Sequence, residues 1–159
     1  MYLNNSSIVL SYNGKFFNNT DDLFNDLDLI LTALKEISVE KISSIKLRYV
    51  NQITPNSKID DWENWINPKL YNLMFQPEDS RIIRSLNRTE YKIDDFKVIF
   101  QYGQFNLNYP SIMIKDDFIL DYECLNNYSE SINDVKDIVV KMDEIIHNFY
   151  SESIGSKLK

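Results

Sequence analysis

The most regular alternation of apolar and polar side chains in this chain lies in Ile45–Ile53. In an extended backbone, successive side chains point to opposite faces, so Ile45, Leu47 and Tyr49 share one face and Arg48 lies on the other. This pattern predicts a strand with one buried face. We expect the rest of the chain to be organised around it.

Two segments carry the spacing of three and four residues that is typical of an amphipathic helix. The first begins at Thr20, where a capping hydroxyl precedes two acids at the positive end of the helix dipole. Its apolar stripe consists of Leu23, Phe24, Leu27, Ile30, Leu31, Leu34 and Ile37. The second is predicted to be capped by Asn133 and opened by Asp134. Its stripe consists of Val135, Ile138, Val139, Met142, Ile145, Ile146 and Phe149.

The remaining alternating segments predict further strands. Residues 81–89 and 96–105 are expected to form an antiparallel pair, and residues 111–115 and 118–125 a hairpin around Asp116-Asp117. Near the start, residues 8–17 predict a short hairpin around Asn13-Gly14, a pair that favours the tightest turns. Strands combined with two long helices indicate an α+β fold.

Residues 1–159 are therefore expected to form a single α+β domain, with a twisted, mainly antiparallel sheet and two long helices packed on one face. A chain of 159 residues with 43% apolar side chains can bury a sufficient core without a metal or a disulfide. Residues 1–10 lack the pattern of a signal peptide, and no window resembles a membrane span. We expect a cytoplasmic protein that does not bind membranes.

The charge balance limits the choice of partner. The net charge is −7 and the pI about 4.7, whereas nucleic-acid binders usually carry a basic footprint, so nucleic acid is an unlikely partner. Solubility is the simplest explanation of the acidity. An inhibitor that mimics nucleic acid is an alternative. With one cysteine, Cys124, and one histidine, His147, the sequence offers no Cys/His metal framework, and no metal or cofactor is expected.

Few side chains stand out as candidates for chemistry. Arg84 and Arg88 form a local basic patch on one face of a predicted strand, suited to an acidic peptide or simply to solvent. His147 falls on the polar face of the last helix, near Asp143 and Glu144, where a surface role is the simplest explanation. A hydrolase that uses His147 is a remote alternative, because nucleophilic triads, zinc motifs and Gly-rich phosphate loops are absent.

Large aromatic side chains are concentrated in residues 54–80, which are predicted to form a long loop. Trp62 and Trp65 are candidate anchors for a partner, since tryptophan is favoured at interfaces, although packing on the core explains them equally well. Tyr49, with Phe100 and Tyr102, could instead line a small-ligand site between sheet and helices. Both interpretations stay open at this stage.

Three short motifs resemble a sporadically distributed prokaryotic family of unknown function. Leu47–Ile53 is similar to its Leu-Arg-Tyr-Ile-Asn-Arg-Ile signature, and Ile66-Asn67-Pro68 to an Ile-Asn-Pro run that follows. Met142–Tyr150 with Ser153-Ile154-Gly155 resembles its terminus, where a His is followed by a Phe and a Ser-Ile-Thr. Family members carry another sheet-forming segment before this region. The resemblance therefore implies that the chain matches only the C-terminal part and exposes a sheet edge that attracts partners.

The leading expectation is a non-catalytic protein-interaction subunit that binds another protein or its own copy. By analogy with the sporadic occurrence of the family, it would belong to a prokaryotic defence or toxin-related system. A domain that senses a small ligand or nucleotide is the main alternative. The residues expected to take part in binding are Arg48, Asn51, Trp62, Trp65, Arg84, Arg88 and His147.

Overall fold

A computed structural model describes residues 2–3, 7–12, 20–54, 64–71, 84–104, 106 and 117–158. The strands are β1 (Tyr2–Leu3), β2 (Ile8–Val9), β3 (Lys41–Ile42), β4 (Ile45–Ile53), β5 (Ser85–Ile93), β6 (Phe96–Gln104), β7 (Phe118–Asn126) and β8 (Glu130–Ser131). The helices are α1 (Thr20–Glu36), α2 (Pro68–Tyr71) and α3 (Val135–Ser153). The predicted α+β class is confirmed.

The four long strands form one antiparallel sheet in the order β4-β7-β6-β5. The two remaining pairs, β1 with β2 and β3 with β8, are antiparallel and only two residues long. The prediction of a mainly antiparallel sheet is confirmed. From its regular alternation, β4 was also predicted to be the central strand of the sheet, and this is wrong. Among the described strands, β4 lies at an edge, and β7 and β6, which carry the most completely buried side chains, lie in the middle.

Strand β7 pairs over its whole length with β4 and over most of it with β6. Both edges of β7 are thus occupied by these two strands. A hairpin of residues 111–115 with 118–125 was predicted. Residues 111–115 lie outside the described residues. So does the predicted turn at Asn13-Gly14, and the described partner of β2 is β1.

The predicted antiparallel pair of residues 81–89 and 96–105 is confirmed as the hairpin β5–β6. Asp94 and Asp95 form its two-residue turn, with a φ of +50° at Asp94. Aspartate tolerates this left-handed region better than most residues, which explains an acidic pair at this position. Strand β5 continues to Ile93, four residues beyond the predicted end at Thr89.

The hydrophobic core lies between the sheet and α3. Most of the predicted stripe of α3 is buried, and Met142 and Ile146 are almost completely inaccessible. The helix lies against β7 and β4, and we call this side of the sheet the helix face. Helix α1 contacts α3, and Lys136 Nζ lies 2.6 Å from Asp28 Oδ2 across that contact. That both long helices lie on one face stays a prediction for α1.

The ends of the two long helices differ from expectation. Ile37, assigned to the buried stripe of α1, is 71% exposed, because the helix ends at Glu36. There Ser38 adopts a φ of +61°, and the N–H groups of Ser38 and Val39 donate to the carbonyls of Lys35 and Leu34. This is the bonding of a Schellman cap, usually made with glycine. At the start of α3 the cap is Asp134 rather than Asn133, and its side chain makes no capping hydrogen bond.

Candidate functional site

The side of the sheet opposite α3 is rich in charge. We call it the open face, and it is formed by Lys46, Arg48, Val50, Gln52, Leu86, Arg88, Glu90, Lys92, Lys97, Ile99, Gln101, Gly103, Ile119, Asp121, Glu123 and Leu125. Five of these residues are basic and three acidic, a net charge of +2 on a chain whose net charge is −7. The open face therefore differs in sign from the protein as a whole.

Arg48 forms the best-defined ion pair of the open face. Its Nε lies 2.8 Å from Asp121 Oδ1 and its Nη2 2.7 Å from Asp121 Oδ2, a bidentate arrangement. The hydrogen bond to Asp121 raises the pKa of the guanidinium further. The Arg48 side chain is 53% exposed, so this pair adds at most about 1 kcal/mol to stability. It uses two of the five N–H donors of the guanidinium, so Arg48 can still contact a partner.

A second set of ion pairs is centred on Glu90. Its carboxylate lies 2.7 Å from Lys97 Nζ and 3.1 Å from Arg88 Nη2, and these hydrogen bonds, that of Lys97 first, lower the pKa of Glu90. On the same face, between β4 and β7, Lys46 Nζ lies 3.2 Å from Glu123 Oε2. The charges of the open face thus restrain one another across neighbouring strands.

A shallow depression of about 240 Å³ lies between these two networks. It is lined by Arg48, Arg88, Ile99, Gln101, Asp121 and Glu123. Ile99 is only 8% exposed, so an apolar side chain is surrounded by long polar ones. The lining of the depression is therefore mainly polar and charged, which is the composition of the rim of a protein-binding surface.

Of the predicted site residues, the structure brings Arg48 and Arg88 together around this depression. Arg84 is exposed directly before β5. Asn51 is half-buried and alternates with Arg48 along β4, so it lies on the helix face. The predicted binding set is therefore divided between the two faces of the sheet.

The other predicted residues lie elsewhere. Trp65 is half-buried against the core, with Lys157 Nζ 5.1 Å from its ring centre, and its carbonyl accepts a hydrogen bond from Gly155 N–H. His147 is exposed on α3, away from the open face. Trp62 lies outside the described residues. Trp65 and His147 thus take no part in the surface that includes Arg48.

Sequence reasoning missed Asp121 and Glu123, the acids of β7 that pair with Arg48 and Lys46. Asp121 and Glu123 alternate with the buried residues of β7, so a period of two already placed them on the opposite face. The sequence could not show that β4, which carries Arg48, pairs with β7, which carries Asp121. Arg48 and Asp121 are 73 residues apart in the chain.

Tyr49 connects the sheet to α3 on the helix face. Its hydroxyl donates to Asp143 Oδ1 at 2.7 Å. Burial, supported by this carboxylate, raises the pKa of Tyr49 well above its ordinary value of 10.0. In the same way, burial and Asp26 raise the pKa of Tyr12 to about 12. Above pH 10 the unfolded chain releases these protons while the folded protein keeps them, so the free energy of unfolding falls as the pH rises.

We expect Tyr49→Phe to make this alkaline loss of stability less steep, because one of the protons that the folded protein retains is removed. At neutral pH the variant loses about 1 kcal/mol, the value of one hydrogen bond. Urea unfolding at increasing pH measures both effects, with Tyr128→Phe as the exposed control. Identical pH slopes for the wild type and Tyr49→Phe would contradict the assignment of Tyr49.

The aromatic residues considered as walls of a ligand site are packed together. Phe100 stacks on Tyr122 with ring centres 4.8 Å apart and an interplanar angle of 2°, and on Tyr102 at 4.8 Å. Phe149 of α3 lies edge-on to Phe100 at 6.2 Å. These rings fill the space between sheet and helix. Cys124 lies in the same core, where burial raises the pKa of its thiol to about 11.

Among the residues that the structure describes, no group of three or more His, Cys, Asp or Glu side chains could hold a metal ion. Within the same part of the chain, no helix is both long and apolar enough to span a membrane.

Comparison with models of protein families, with curated proteins and with solved structures finds no match. The resemblance of residues 47–53 and of the end of α3 to a sporadic prokaryotic family therefore stays a prediction. The open face is the feature from which a function can be argued.

Proposed function

We propose that this chain is a non-catalytic protein-interaction domain that binds an acidic protein partner on the open face of its sheet. The observation that carries this proposal is the net charge of +2 on that face, within a chain of net charge −7. Opposite potentials steer association and select partners, so the open face favours an acidic surface.

The same charge argues against a second copy of this chain stacked face to face. Two identical open faces would each bring a positive excess, and half of their positions would be charged side chains that need partners. The resemblance and the edge position of β4 leave another route to a homo-oligomer, by strand addition. Self-association is therefore a distinct outcome to be measured.

The proposal also includes the cellular location of the domain and the biological system to which it belongs. We place the domain in the cytoplasm, supported by a single, buried cysteine, and in a defence or toxin-related system by analogy with the family that it resembles. The sensing alternative receives less support, because the aromatic side chains proposed as walls are in contact with one another. The alternative of an acidic inhibitor that mimics nucleic acid also receives less support, because two acids of α1 already have partners within the chain: Asp26 is bonded to Tyr12 and Asp28 to Lys136.

Binding of fluorescently labelled poly-glutamate, followed by anisotropy at low ionic strength, tests the proposed function. We expect the wild type to bind, and binding to weaken as salt screens the charges. Replacing both depression arginines, in Arg48→Glu with Arg88→Glu, is expected to weaken it by about tenfold or more, since close charge pairs at interfaces are worth above 1 kcal/mol.

The matched control reverses two exposed charges on the helices, outside the strand residues that form the open face, in Lys35→Glu with Lys141→Glu on α1 and α3. It changes the net charge of the protein by the same amount and should cost much less affinity. Equal losses in both double variants would show that only the overall charge matters. Light scattering on the same samples reports self-association.

A further inference from the structure

The positive excess of the open face is concentrated in one row. Lys46, Leu125, Lys97 and Lys92 lie in register across β4, β7, β6 and β5, and we call them the lysine row. The other positions of the open face carry two arginines and three acids, a net charge of −1. The lysine row therefore accounts for the sign of the whole surface.

Within this row, Lys92 and Lys97 lie directly opposite each other beside the β5–β6 turn. Like charges in this position destabilise a sheet. Lys97 is bonded to Glu90, at 2.7 Å, and Lys46 to Glu123, whereas the side chain of Lys92 makes no hydrogen bond or ion pair with any described residue. Among the described residues, its ammonium is thus uncompensated at a position where a carboxylate would have been more stable.

A hollow of about 400 Å³ lies beside these two lysines. Leu125 and Tyr128 contribute apolar surface to it, and Tyr128 is 52% exposed. The backbone N–H of Tyr128 donates to Asn126 Oδ1 at 2.8 Å, and the Asn126 side chain is itself bonded to Glu130. The exposed ring is therefore carried by a braced turn, as expected of an interface anchor.

We propose that this hollow is the anchor point of the acidic partner. A carboxylate of the partner contacts Lys92, with Lys97 beside it, and a neighbouring aromatic or apolar side chain packs against Leu125 and Tyr128. This inference rests on the proposed function and adds the residues that the partner must carry. Glu90 and Asp95 also line the hollow and equal its two lysines in charge, but Glu90 is shared between Lys97 and Arg88, and counting Arg88 leaves an excess of one positive charge beside the hollow.

The test compares two labelled polymers, poly-glutamate and a random copolymer of glutamate and tyrosine. We expect the copolymer to bind about tenfold more tightly, because an aromatic contact adds to the charge pair. Lys92→Glu should weaken copolymer binding by about tenfold. Tyr128→Ser should remove the preference for the copolymer and leave poly-glutamate binding nearly unchanged.

Both variants are expected to fold, so that a loss of binding cannot be explained by unfolding. Lys92→Glu places a carboxylate opposite Lys97, so its melting temperature should equal or exceed that of the wild type. Lys141→Glu, with the same change of charge on α3, is the control for binding.

Each outcome has a separate meaning. Equal affinity for the two polymers, together with equal losses in Lys92→Glu and Lys141→Glu, would overturn the anchor and leave the proposed function standing. If neither polymer binds, the proposed function itself fails. Tighter binding of a single-stranded oligonucleotide than of either polymer would replace the acidic protein by a phosphate-bearing partner and overturn both.

Discussion

Gly103→Ala is expected to destabilise the protein by about 3 kcal/mol or more, the largest effect that we predict for a small substitution. Gly103 has a φ of +142°, a conformation that side chains rarely adopt. A Cβ at this position would fall on the carbonyl oxygen of Ser85 at the start of β5. Relief requires β5 to move away from β6, which breaks the pairing of Leu86 with Gly103.

Thermal and urea unfolding measure this loss, which corresponds to a fall of about 6–12 °C in melting temperature for a chain of this size. Gln101→Ala, two residues earlier on the same strand and face, is the control and should stay within about 0.5 kcal/mol. Because β5 carries Arg88 and Lys92, Gly103→Ala should also weaken acidic binding. A loss below about 1 kcal/mol would show that the two strands are less closely apposed than described.

Met142→Ala is expected to cost about 3 kcal/mol, within the range measured for large buried side chains cut to alanine. Met142 is completely buried in α3, on the side that lies against β7 and β4. Its removal leaves a cavity between helix and sheet that the neighbouring rings cannot fill without moving. The cost reflects both the lost apolar contact and that cavity.

Lys141→Ala is the matched control for Met142, since it is the preceding residue of the same helix and is exposed. Its effect should be within about 0.5 kcal/mol. The two variants together test on which side α3 meets the sheet. If Lys141→Ala cost more than Met142→Ala, the helix would be rotated relative to the described packing.

Local patterns in the sequence predicted the four long strands and the two long helices of this fold, but not the two-residue strands β1, β3 and β8 or the short helix α2, which lies within the predicted loop. Alternation predicted β4 over its full length, and the apolar stripe of α3 matched the buried residues from Val135 to Ile146. Period two also separates Tyr122 and Cys124 from Asp121 and Glu123, which places charge on one face of β7. These properties depend on neighbouring residues alone, so they can be read from a single chain.

The order of the strands could not be predicted, because strand pairing depends on residues that are far apart in the chain. Pairing of β4 with β7 joins segments about 70 residues apart, and the sequence does not state which strand fills which edge. The adjacent segments 111–115 and 118–125 looked like a hairpin because short connections are the commoner choice. The end of α1 was also predicted wrongly. Ser38 adopts the left-handed conformation that ends the helix, and because glycine is usual at this position, the end could not be recognised from the sequence.

The candidate site was predicted only in part for a related reason. Arg48 and Arg88 were recognised as charged residues of strands, yet their common depression exists only because β4 and β5 are the two edges of one four-stranded sheet. The lysine row can be recognised only when the register of all four strands is known. Trp65 was selected by residue type. His147 was correctly placed on the exposed face of its helix, but a local pattern does not show which part of the folded surface that face adjoins.

If a small basic area on this acidic protein selects an acidic partner, an amide chemical-shift titration with poly-glutamate will locate the contact. We expect the largest shifts in the strands β4, β5, β6 and β7 around Arg48, Arg88, Lys92 and Lys97, while α1 and the exposed side of α3 stay unchanged. Shifts centred on the helices, or none at low ionic strength, would contradict this expectation.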